Sequence, residues 1–154
     1  MAKGSKCNYK EFIELKKRID KLQKYEFNSF CEAVAKELAS RLLAKVIKRT
    51  PVGEYPNTTG KVGGTLRRGW TGEKSTNAKT YAESLPIKKS GNIIEIEIVN
   101  PVNYASYVEY GHRTRNHKGW VKGRFMLTIS ENELQTQSPK IIEQKLMKYL
   151  GGIL

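Results

Sequence analysis

The chain has 154 residues, 38% hydrophobic and 28% charged, enough for one modest core and too short for several domains. Lys and Arg outnumber Asp and Glu by 28 to 15, a formal net charge of +13, which calls for an acidic partner, either protein or nucleic acid. No apolar run approaches the roughly 18 residues of a membrane span, the start lacks the apolar stretch of a signal peptide, and Cys7 and Cys31, without C-x-x-C spacing, fit a reduced, cytosolic setting.

Residues 8–49 read as helical throughout. Asn8 with Glu11 has the spacing of a capping box, and Phe12, Leu15, Ile19 and Leu22 follow at helical intervals. A stronger stripe, Phe27, Phe30, Cys31, Val34, Leu38, Leu42 and Val46, predicts one apolar face over about five turns. Ser29 with Glu32 repeats the capping pattern, so a single long helix bent near Asn28 is expected, part of it packing on a neighbouring subunit. Lys45, Lys48 and Arg49 suit the negative end of the helix dipole, and Thr50-Pro51 stops it.

Residues 51–65, "PVGEYPNTTGKVGGT", form a long loop, and a β section follows. Leu66 and Trp70 lie on one period-2 track, and Tyr81, Leu85 and Ile87 on another. In "NIIEIEIVN", Ile94, Ile96 and Ile98 face inwards, the clearest strand in the chain. Ser90-Gly91-Asn92 is the hairpin turn before it. Tyr104, Tyr107 and Val108 predict a short helix closed by Gly111. Residues 111–123 are a basic loop, Phe125, Met126 and Ile129 restart a helix, and Ser138-Pro139 opens a separate C-terminal helix with Ile142, Leu146, Tyr149 and Leu150 on its buried face. The expected fold is α+β: a long N-terminal helix packed on a small antiparallel sheet, with a short central helix and C-terminal helices. It is a single domain, 1–154, with flexible loops at 53–65 and 111–123 and a C-terminal helix at 138–151.

Catalytic signatures are missing: there is no G-x-S-x-G, H-E-x-x-H or P-loop order. "GKVGGT" has the glycines of a phosphate cradle in the wrong order, and Glu95 and Glu97 read as a solvated strand face. His112 and His117 stand beside Arg113 and Arg115, which would repel a divalent cation. No enzyme activity, metal or cofactor is expected. Basic residues do cluster, with Arg67, Arg68, Lys74, Lys79, Lys88 and Lys89 in the β section and Arg113, Arg115, Lys118, Lys122 and Arg124 in the loop. Interleaved tyrosine and tryptophan could stack on bases, but no recognition helix, zinc finger or ribonucleoprotein motif accompanies them. Trp70, Tyr104 and Tyr107 read better as core or interface residues.

Four short stretches together resemble the family of tailed-bacteriophage neck and minor tail proteins, often called tail-completion or head–tail joining proteins. Thr50, Pro51 and Val52 match its first motif. Leu66, Arg67, Arg68 and Trp70 match its second, with Gly69 where serine is common. Tyr104, Ala105, Tyr107, Val108, Glu109, Gly111 and His112 match its third, and Gly123, Arg124, Phe125, Met126 and Leu127 its fourth. The loop between Val52 and Leu66 is longer than the family's compact version. The resemblance spans roughly residues 10–135. It implies a non-enzymatic virion protein of the neck or tail, made in the host bacterial cytoplasm and joining the tail to the head. Its partners would be its own copies in a ring, expected to be a hexamer, together with connector, tail-terminator or tail-tube proteins. Arg113, Arg115, Lys118 and Lys122 would then face DNA in the channel or an acidic partner. The alternative is a DNA-binding regulator using the same basic surface.

Overall fold

The computed structural model describes residues 9–21, 27–74 and 76–152. Helix α1 covers Tyr9–Lys21 and helix α2 Phe27–Arg49. Asn8, Leu22 and the junction at 22–26 lie outside the described residues, while Asn28 lies within α2. The predicted core stripe of α2 is turned by about one residue: Val34, Ala39, Leu43 and Val46 are buried, whereas Leu38 and Leu42 are half-buried and Phe27 is exposed.

The first segment predicted as a strand of the sheet is a helix, and so is the second as far as Ser84; from Ile87 onwards the second is a strand as expected. Thr65–Gly69 is α3 and Ala78–Ser84 is α4. Leu66 and Trp70 are four apart, a spacing that serves one helical face as well as one strand track, and both are buried. Asn77 decides the second case: its side chain accepts the Thr80 amide at 2.8 Å and caps α4. Lys36 of α2 closes the other end, its ammonium donating to the carbonyls of Glu83, at 2.7 Å, and Leu85, where the helix leaves carbonyls unpaired.

The hairpin at "IKKSGNIIEI" is as expected. Strand β1 (Ile87–Ser90) pairs antiparallel with β2 (Ile93–Ile96), with Ser90 opposite Ile93. Gly91, with φ +58°, supplies the left-handed turn residue. Ile94, Ile96 and Ile98 are half-buried and Glu95 and Glu97 exposed.

Helix α5 is Ala105–Tyr110. The predicted loop after it is a second hairpin, β3 (Gly111–Arg113) with β4 (Trp120–Lys122). Its turn is built by Thr114, whose amide donates to the Gly119 carbonyl at 3.0 Å and whose hydroxyl oxygen accepts the Gly119 amide at 3.0 Å. One continuous helix, α6 (Met126–Gly151), follows, so Ser138-Pro139 does not open a new one. Pro139 cannot donate to the Gln135 carbonyl one turn back; the Ser138 hydroxyl does so instead, at 3.1 Å.

The core gathers Ala39, Leu43 and Val46 of α2 with Leu66, Trp70, Ala82 and Met126. Helix α6 runs antiparallel along α2. Phe30 stacks on Tyr149 with centroids 4.6 Å apart, Glu37 meets Lys145 at 2.6 Å, and Glu133 takes Lys45 at 2.8 Å and Arg49. Lys45 and Arg49 thus clamp the two helices together, beyond the dipole role their position implied.

Candidate functional site

The four motifs come together in pairs. At the first junction Thr50 is fully buried. Its hydroxyl donates to the Val46 carbonyl at 2.6 Å and accepts the Trp70 indole N–H at 2.8 Å. Its carbonyl accepts from Arg67 Nη2 at 2.7 Å and Nε at 3.2 Å. The end of α2 is therefore tied to α3 through one residue, whose backbone and side chain are both saturated. Asn100, which no motif contains, completes the junction by donating to the Leu66 carbonyl at 2.8 Å. Gly69 leaves room for it: a Cβ would stand 2.3 Å from Asn100 Oδ1, so that side chain would have to shift.

The second junction joins the third and fourth motifs. Glu109 is buried on α5. Its carboxyl oxygens accept the amides of Leu127 and Thr128, each at 2.9 Å, and the Thr128 hydroxyl at 2.8 Å. Phe125, the residue before α6, has φ +49° and offers no side-chain cap. Glu109 fills that role from 18 residues away. Backbone bonds lock the pair: Arg124 N–H to the Val108 carbonyl at 2.8 Å and Phe125 N–H to the Glu109 carbonyl at 3.0 Å. Two glycines allow the approach. A Cβ on Gly123 would lie 2.3 Å from the Glu109 carbonyl oxygen, and one on Gly111 (φ +89°) 2.4 Å from that of Val121. Between the junctions lies a cleft of about 230 Å³ lined by Trp70, Asn100, Ala105, Glu109, Met126 and Leu127, among others.

The remaining motif residues lie outwards. Pro51, His112 and Phe125 are half-buried. Arg68 is exposed and reaches the Gly63 carbonyl at 3.2 Å and the Thr65 hydroxyl at 3.4 Å. Tyr104, Tyr107 and Tyr110 are 42%, 58% and 62% exposed, so of the core-or-interface reading of the first two the core half does not hold. Tyr107 lies edge-on to His112, centroids 5.8 Å apart. The segment packs on the start of α6 and on β3. Arg113, Arg115, Lys118, Lys122 and Arg124 are all exposed.

The long loop after Pro51 is pinched at its base, where a Cβ on Gly63 would fall 2.0 Å from the Gly53 carbonyl oxygen. Tyr55 and Val62 project from it, 49% and 79% exposed, and Lys61 lies over the Tyr55 ring. Only the glycines themselves hint at that closure in the sequence. Along α1, Ile13, Leu15 and Ile19 are exposed as well.

Glu97 is engaged by Lys88 at 2.7 Å, and the hydrogen bond from that ammonium holds its carboxyl below the usual range. Among the described residues no group of three or more His, Cys, Asp or Glu could hold a metal ion, and no helix is long and apolar enough to cross a membrane.

A family model described as "Bacteriophage HK97-gp10, putative tail-component" matches residues 13–111. That span holds the first two motifs and the third as far as Gly111, and it stops short of His112 and of Gly123–Leu127. No curated protein and no solved structure gave a match.

Proposed function

The chain belongs to the HK97-gp10-like family of bacteriophage tail components, and from that premise we propose that it acts at the head–tail interface, joining or completing the tail as one copy of an oligomeric ring. A structural role in the phage tail follows from the family; the ring, the neck position and the joining role are our reading.

The observation that carries this reading is the amount of surface left open. The chain exposes 12293 Å², against about 7,900 Å² for a compact monomer of this mass. Exposed large apolar side chains mark three projecting features among others: α1, the pinched loop with Tyr55 and Val62, and the tyrosines of α5. Exposed apolar groups on this scale mark interaction sites. Meanwhile the buried motif residues hold the protomer rigid, which suits a part that must present fixed faces to neighbours. Copies of itself would cover the apolar features, and connector, tail-terminator or tail-tube proteins would meet the ring above and below.

Electron microscopy of particles made without the protein tests the joining role. Full heads and separate, complete tails are expected. Normal joined particles would contradict it.

A further inference from the structure

The hairpin β3–β4 carries a feature that the ring reading does not use. We propose that it is a binding site for single-stranded nucleic acid, in which cations hold the phosphates and Trp120 stacks on a base. The inference concerns the surface of the individual chain and holds whether or not a ring closes.

Four observations support it. First, from Gly111 to Arg124 there is no acidic residue and there are five Lys or Arg. All five are exposed, and none forms an ion pair among the described residues. Elsewhere the chain does pair its cations, as at Lys45, Arg49, Lys88, Lys89 and Lys145.

Second, the register places charge and ring on one face. Arg113 is directly opposite Trp120, so the two share a face of the ladder. Lys122, two residues beyond Trp120, points the same way. The face reads cation, aromatic, cation.

Third, Trp120 is 63% exposed yet held in place. Its indole Nε1 would stand 2.9 Å from a Cβ on Gly111, so the ring lies over the space that this glycine leaves empty. Fourth, the turn at Thr114–Gly119 is braced by its own hydrogen bonds, so Arg115 and Lys118 are presented from a shaped tip. A positive track with an ordered, open aromatic is how proteins hold single strands without reading sequence. An acidic protein surface would engage the cations but offers no row of flat base faces to the indole, and a duplex hides its own.

The test uses the two tryptophans of the chain. Trp70 is 3% exposed, so quenching by an added ligand reports Trp120. The full chain is titrated with a mixed-sequence single strand, with the same sequence as a duplex, and with polyglutamate at equal charge. Quenching by the single strand is expected, with affinity at least several-fold above the duplex and a steep loss with added salt. The variant R113A/K122A should bind about tenfold more weakly and with a shallower salt dependence, having lost two phosphate contacts. K79A/K140A, which removes the same charge elsewhere on exposed helix positions, should change little. The proposal is overturned if the single strand leaves the fluorescence unchanged, if the duplex or polyglutamate binds as tightly, or if the two variants lose affinity equally. Unchanged circular dichroism in both variants keeps the comparison one of binding.

Discussion

Glu109 caps a helix that begins after it in the chain: its Oε2 accepts the Leu127 amide at 2.9 Å while its Oε1 takes Thr128. The sequence shows these residues as two separate motifs, and the fold makes them one object. Glu109→Ala would leave buried donors at the start of α6 unpaired. A loss of about 2–3 kcal/mol is expected in urea unfolding. Glu109→Gln keeps one acceptor oxygen but turns an NH2 towards donors that need an acceptor, so it should restore only part of that loss.

The Thr50 junction makes a parallel prediction. Thr50→Val keeps the shape and removes the hydroxyl, stranding the buried Trp70 N–H. A cost of about 1–3 kcal/mol follows, and Thr50→Ser should recover most of it. Equal stability of Val and Ser variants would show that the hydrogen bond is immaterial.

Two glycines with left-handed φ separate backbone strain from crowding. Gly91 has φ +58° and nothing near its Cβ position, whereas Gly111 combines φ +89° with a Cβ 2.4 Å from the Val121 carbonyl oxygen. Gly91→Ala should cost about 1 kcal/mol. Gly111→Ala should cost clearly more and disturb β3–β4, visible as changed Trp120 fluorescence.

Acid should loosen α6 from α2. The hydrogen bond from Lys45 chiefly holds the Glu133 carboxyl below its usual range, and that from Lys145 does the same for Glu37, with Arg41 adding to it. Both groups bind a proton more readily when unfolded. Their contribution is therefore complete above the ordinary carboxyl range and lost as the pH falls through the lower folded values. Unfolding midpoints measured from neutral to strongly acid solution should fall in that window, and Glu133→Gln should flatten the fall.

Tyr107→Ala removes an exposed ring and should leave protomer stability within about 0.5 kcal/mol, while reducing the yield of joined particles. Normal stability together with normal joining would remove Tyr107 from any interface.

The sequence was most informative where spacing admits one reading. The alternation of Ile94, Ile96 and Ile98 and the Gly91 turn set the first hairpin, and Gly111 closes α5 as expected. It misled where one spacing serves two structures. Leu66 with Trp70 fits a strand track and a helical face equally, and the Asn77 cap that settles the next element is a single residue. Ser138-Pro139 has the signature of a helix start, yet the Ser138 hydroxyl supplies the bond that proline cannot, and α6 runs through. The motif residues did not reveal their own division of labour. Burial of Glu109 beside exposure of Tyr107 depends on which side of a six-residue helix meets α6, and Asn100 and Glu133 act through contacts distant in sequence.

The central claim is that the open apolar surfaces of this tail component are covered by copies of itself in a ring. Light scattering of the purified chain, alone and with connector and tail-tube proteins at low and high salt, measures this directly. A closed oligomer of fixed stoichiometry, alone or on a partner, is the predicted result. A chain that remains monomeric at every salt concentration and with every tail and connector partner would contradict it.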